Sequence, residues 1–306
     1  MRIVFMGTAD FSATVLEKLN EKHPVCAVIT GLDKQMGRGQ QVKFSPLKEK
    51  ALSLGIPVMQ YEKVSRDGIE DVSALNADVI ITAAFGQILS ERFLQIPKFG
   101  VLNVHASLLP KYRGSSPIQW AIINGEQKTG ITIMRTVKAI DAGDVLLTKE
   151  IEIGRANAGE MFDSLAELGG DAINEAIDLL EEGNAVFTPQ NHAEATHCSM
   201  ISKADGRINF AKTSREIDCF VRGMTPWPSA FLMYDEKILK VYDVESVNYD
   251  GSEPCGTVVY ADRKHGIVVK TLDGAVRLST IQLQGSKRMT DADFLLGHSI
   301  PTGIKL

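Results

Sequence analysis

The stretch Asn103-Val-His-Ala-Ser-Leu-Leu-Pro-Lys-Tyr-Arg-Gly114 carries the most pointed chemistry in the chain. Asn103 and His105 are two residues apart, so on a strand their side chains share one face. The loop that begins at Ser107 places the pair at the strand's carboxyl end, exposed where a ligand binds. An amide and an imidazole aimed at one point can both donate to a carbonyl oxygen as it gains negative charge, which is what acyl transfer needs. A lone histidine at such a place is more often a satisfied structural residue, and the asparagine on the same face shifts that balance. Transfer to an amine also needs a proton acceptor, or a group that fixes the imidazole. Ile140-Asp-Ala-Gly-Asp144 offers two carboxylates in a Gly-containing turn, and spacing does not choose between Asp141 and Asp144.

Other chemistries are poorly supplied. Gly7-Thr-Ala-Asp10 stands where a dinucleotide-binding turn would, but with one glycine where that fingerprint needs three. No GxSxG elbow occurs. Cys198 beside His197 reads as incidental, and His192 with His197 lacks the further ligands of a metal site, so no metal is expected.

The elements that must position Asn103 and His105 read as an α/β pattern. Apolar, β-prone runs at Arg2–Met6, Pro24–Thr30, Ile56–Met59, Asp78–Ala84, Gly100–His105 and Gly130–Arg135 alternate with helix-like spacing, as at Phe11, Val15, Leu16 and Leu19 and from Pro46 to Leu54. Such alternation predicts a parallel sheet with helices on both faces. After a helix near Glu160 to Glu182 comes a polar connector, from Thr188 to about Gly206. Beyond Trp227-Pro228, short strands separated by Asp/Gly turns (238–244, 256–260, 266–271, 275–283) predict a small antiparallel barrel of the OB-like kind. The expected division is therefore 1–188, a linker over 189–206, and 207–306.

Composition sets the bounds. Of 306 residues, 44% are hydrophobic and 23% charged, which is ordinary globular usage. A formal net charge of -5 excludes a globally basic nucleic-acid binder. It does not exclude a local basic face: Lys34, Arg38, Lys43, Lys48 and Lys50 face only Glu49 between positions 34 and 50. Residues 207–306 are nearly neutral, with 13 Lys/Arg against 12 Asp/Glu. Four cysteines without a CxxC pair fit reduced thiols, and the apolar run before Gly7 is too short for a signal core or a membrane span. A cytoplasmic protein is expected.

With these residues in place, NVHASLLPKYRGSSPIQWAIINGEQKTGITI followed by IDAGDVL resembles the folate-dependent formyltransferases. MGTADF, GRGQQVKFSPLK at 37–48, AAFGQILS at 83–90, ISKADGRINF and RGMTPWPSAF resemble the members of that family that act on tRNA. The resemblance covers nearly the whole chain and implies a Rossmann-like formyltransferase domain. It implies formyl transfer from 10-formyltetrahydrofolate to the free α-amine of methionine on initiator tRNA. By it, Asn103, His105 and Asp141 match the catalytic positions, so Asp144 is the lesser carboxylate. Ser107, Leu108, Leu109 and Pro110 match a folate-contacting segment, and the backbone of Phe85, Gly86, Gln87, Ile88 and Leu89 is expected to line the same crevice. Lys34, Arg38 and Lys43 are the expected RNA contacts. A formyltransferase acting on a small amine, such as glycinamide ribonucleotide or an amino sugar nucleotide, and a non-catalytic RNA-binding module are the alternative readings. The basic loop and the carboxy-terminal domain argue against the first of these. The Asn/His/Asp set argues against the second.

Overall fold

A computed structural model describes residues 1–36 and 41–306. The chain divides into two compact units. The first comprises Met1–Pro117, Lys128–Glu152 and Phe162–Cys198. The second comprises Ile118–Gln127, Ile153–Met161 and Ser199–Leu306.

The first unit is built on a seven-stranded sheet. Its strands are β1 (Ile3–Gly7), β2 (Val25–Thr30), β5 (Val58–Gln60), β6 (Val79–Ala83), β7 (Val101–His105), β9 (Lys128–Arg135) and β10 (Val145–Glu152), in the order β10-β9-β7-β6-β1-β2-β5. Four short strands lie outside it: β3 (Lys34–Met36) pairs with β4 (Gln41–Lys43), and β8 (Arg113–Gly114) pairs with β11 (His197–Cys198). Every residue of β1 and β6 is buried, as strands covered on both faces must be, and their sequences are correspondingly continuous apolar runs. The helix Asp10–Lys22 buries Phe11, Val15, Leu16 and Leu19, the face its spacing marked out.

The sheet is parallel from β5 through β7, but β9 runs antiparallel to β7, and β10 antiparallel to β9. The sequence predicts a parallel sheet, which five of the seven strands form, and does not give the direction of β9 or anticipate β10. An apolar run reports burial and carries no sign for strand direction. At the exposed edge, β10 alternates half-buried and solvent-facing residues and includes Lys149 and Glu150, which reads as polar chain.

The chain passes from β1 outward to β2 and β5, then returns to β6 on β1's other side. This reversal makes the topological switch point at which open sheets of this kind bind ligands. Gly7 closes the β1 turn: a Cβ there would meet Ser12 and the carbonyl of Ala83, and the Ser12 hydroxyl donates to that carbonyl at 2.6 Å. This glycine permits close helix-to-strand packing.

The second unit is an antiparallel sheet of β12 (Ala230–Tyr234), β13 (Lys237–Val247), β14 (Val258–Asp262), β15 (Gly266–Lys270) and β16 (Ala275–Leu283), in the order β12-β13-β16-β15-β14, with β17 (Met289–Thr290) on β16. Its core joins sheet residues such as Val241, Val269 and Ile281 to Ile217 and Val221 of the helix Ser214–Met224 and to Phe294. That helix starts with a reciprocal capping box between Thr213 and Glu216. Among the described residues no helix is long and apolar enough to cross a membrane.

Candidate active site

β6 and β7 are parallel neighbours with Thr82 opposite Asn103, so both end at the same sheet edge. Asn103 is half-buried and His105 buried at 6% exposure, two residues apart on β7. The histidine is thus less open than its place at a strand end leads one to expect. The Thr82 hydroxyl lies 2.9 Å from Asn103 Oδ1 and 3.2 Å from the carbonyl of Leu102. Engagement of Oδ1 leaves the amide's Nδ2 to donate to a substrate oxygen.

His105 Nε2 lies 3.0 Å from the carbonyl of Tyr112, and Nδ1 lies 3.7 Å from Asp141 Oδ2. Only Nε2 is within hydrogen-bond distance of an acceptor; Nδ1 faces the carboxylate from beyond that distance. Asp141 Oδ2 also accepts from the Gly114 N–H at 2.8 Å. Asp141 itself sits in the left-handed region, with φ 49. Asp144, in the same turn, gives its carbonyl to Arg135 N at 2.9 Å and has no contact with His105 among those described.

Two loops follow these strands. Ser107 to Pro110 leaves β7 directly, with a cis Leu109–Pro110 bond. Thr132 on β9 stitches it down: its hydroxyl donates to Ser107 O at 2.7 Å and accepts from Leu109 N at 3.2 Å. The Ser107 hydroxyl donates to Lys111 O at 2.7 Å. The loop after β6 is pinned by Phe85 and Leu89, both buried in the core, whereas Gly86 is exposed and Ile88 is 85% exposed. The Gln87 side chain accepts from Val64 N at 2.9 Å, and Thr8 after β1 donates to Phe85 O at 3.5 Å. An anchored loop with an exposed glycine and an exposed isoleucine suits a flat, partly apolar ring system whose edge is read by backbone groups. Among the described residues no group of three or more His, Cys, Asp or Glu side chains is placed to hold a metal.

Of the expected RNA contacts, Arg38 lies outside the described residues, Lys34 falls on β3, and Lys43 is exposed at the end of β4. The basic stretch is less positive than its sequence. Lys48 is paired with Asp33 at 2.6 Å and Lys50 with Glu17 at 2.7 Å. These partners lie outside the run and reach it only through folding.

Sequence reasoning missed Thr82, Thr132, the Gly114 N–H and Gln190. Thr82 left a trace, a hydroxyl inside the apolar run of β6. Gln190, buried and bonded to the Asp141 turn, left none, because it sits in a polar stretch that reads as connector. That connector is itself ordered, with a turn at His192–Glu194 and the β11 pairing to β8.

The chain matches the formyl transferase family over residues 1–177 and the formyl transferase carboxy-terminal domain over 200–299. It is 41% identical over 309 residues to a methionyl-tRNA formyltransferase of Clostridioides difficile, covering 100% of each chain. It is 44% identical over 307 residues to one of Caldanaerobacter subterraneus subsp. tengcongensis, covering 99% of each. In structure it resembles an N-formyltransferase from Helicobacter canadensis solved with folinic acid and dTDP-3-aminofucose. That likeness has a TM-score of 0.69 at 19% identity and covers 94% of this chain and 100% of the other.

Proposed function

The chain belongs to the methionyl-tRNA formyltransferases, and from that premise we propose how its residues divide the work of placing a formyl group on the amine of methionyl-tRNA. The donor is 10-formyltetrahydrofolate, held between Ser107–Pro110 and the Phe85–Leu89 loop, where Gly86 and Ile88 are exposed. The amine nitrogen attacks the formyl carbon, the bond from that carbon to the donor nitrogen breaks, and the amine proton passes to the departing nitrogen.

Asn103 donates through Nδ2 to the oxygen that becomes negative. His105, its Nε2 committed to Tyr112 O, offers Nδ1–H to the same oxygen. The Asp141 carboxylate, held by the Gly114 N–H, offsets the charge of the ring when it carries both protons, and relays the amine proton, directly or through water, to the departing nitrogen. The observation that carries this reading is the convergence of Asn103, His105 and Asp141 at one sheet edge, beside two anchored loops.

The carboxy-terminal part over 207–306, which contains the antiparallel sheet, holds the body of the initiator tRNA, as OB-like folds commonly hold nucleic acid. Lys34, Arg38 and Lys43 lead its acceptor end toward the first unit. Four free cysteines and the substrate itself support a cytoplasmic location.

Incubating the protein with methionyl-tRNA and 10-formyltetrahydrofolate, with and without a chelator, tests the reading. Formylmethionine forms equally in both samples. Its absence overturns the assignment, and loss on chelation that a divalent ion restores overturns the metal-free part.

A further inference from the structure

We propose that Gln190 is the positioning residue for Asp141, an inference that rests on the reading of Asp141 given above. Residue 190 lies between the two stretches that match the family, 1–177 and 200–299.

Gln190 is 8% exposed, and every hydrogen-bonding group of its side chain is used. Nε2 donates to the carbonyls of Asp141 at 2.9 Å and Gly143 at 2.7 Å. Oε1 accepts from Arg113 Nε at 3.2 Å and Nη2 at 2.6 Å. The guanidinium has only donors, so it dictates which end of the amide faces it. The two N–H groups are thereby aimed at the Asp141 turn.

These bonds close a ring. Arg113 holds Gln190, Gln190 holds the backbone of Asp141, and the Asp141 carboxylate returns to the N–H of Gly114, the residue after Arg113. Asp141 is thus gripped at both its backbone and its carboxylate. A non-glycine residue at positive φ persists only where its surroundings over-determine it. The strand-like exchange between Val145 and Thr188, at 2.9 and 2.8 Å, brings the chain back to deliver Gln190 to this place. Gln190 therefore sets where Oδ2 stands relative to His105 Nδ1, although it touches neither substrate nor reacting atoms.

The experiment compares Gln190→Glu with the unsubstituted protein, in the native background and in Asp141→Asn, by single-turnover rate and by KM for each substrate. Glutamate keeps the shape and the bond from Arg113 but lacks both N–H donors. In the native background the rate falls about tenfold to a hundredfold with both KM values retained, as small misplacements of a reacting group do. In Asp141→Asn the same change costs nothing further. Equal losses in both backgrounds, or an unchanged rate, overturn the proposal. Should Gln190→Glu not fold, Gln190→Met, of similar volume and without polar N or O atoms, is judged by the same coupling. A native rate in Asp141→Asn alone overturns the assignment of Asp141 itself, and so separates that failure from this one.

Discussion

Thr82 Oγ1 lies 2.9 Å from Asn103 Oδ1 across the paired strands β6 and β7, and in this hydrogen bond the amide oxygen is the acceptor. Thr82 is 5% exposed, so no solvent replaces its hydroxyl. Thr82→Val leaves the amide without that orienting donor and lowers kcat about tenfold, less than the 10²- to 10³-fold cost of removing an oxyanion donor outright. Thr82→Ser restores the rate. Steady-state kinetics of the two variants check this, and a native kcat in Thr82→Val removes the hydroxyl from the account.

Asn103→Ala, His105→Ala and Asp141→Ala each fold and lose about 10²-fold or more in turnover, whereas Asp144→Asn loses far less. Only Asp141 of the two carboxylates lies beside His105, at 3.7 Å. In the mechanism proposed above the three groups act on one transition state, so the double variants lose less than the product of the single losses. Near-native turnover of the Asn103 or His105 variant sinks the mechanism.

Gly114 is needed for its backbone. At φ 120 it presents its N–H to Asp141, and a Cβ there would strike the carbonyl of Cys198. Gly114→Ala therefore costs about 1–3 kcal/mol of stability from forced backbone strain and lowers kcat as the N–H leaves the carboxylate. Denaturant titration and kinetics on the same sample should move together. Loss of stability with an unchanged kcat would separate the β8–β11 pairing from catalysis.

Replacing Arg38 and Lys43 by alanine weakens methionyl-tRNA binding and leaves folate-analogue binding alone. For every phosphate that is no longer neutralised, the slope of log affinity against log salt becomes shallower by about 0.7 to 0.9. Lys48→Ala and Lys50→Ala change that slope little, since Asp33 and Glu17 already neutralise them. Binding measured from low to moderate salt distinguishes the two pairs.

Glu216 gives the second unit an acid-sensitive element. Hydrogen bonds from the Thr213 backbone N–H and hydroxyl, followed by the Lys212 ammonium, lower its carboxyl from 4.5 to about 2. A carboxyl depressed in the folded state contributes stability that is whole above about 4.5 and is lost as pH falls through about 2. Glu216→Gln preserves the capping geometry but has no charge to lose, so its unfolding midpoint falls less than the native protein's between those pH values. Identical acid profiles would refute the linkage.

Spacing and burial pattern carried much of this protein in one dimension. A two-residue separation suffices to put Asn103 and His105 on one strand face, because strand side chains alternate strictly. Runs such as Val79–Ala83 and Ile3–Gly7 announce strands covered on both faces, because such strands are nearly continuous in apolar residues. Folding decided what depends on partners distant in sequence. Asp33 and Glu17 quench two charges of the basic stretch, β9 and β10 turn antiparallel, and Thr82 comes within reach of Asn103's amide. Asp141 is distinguished from Asp144 by the Gly114 N–H and by Gln190, which arrive from 27 and 49 residues away. Hydrogen bonds are directional and short, so their partners become known only when the chain has brought them within about 3 Å.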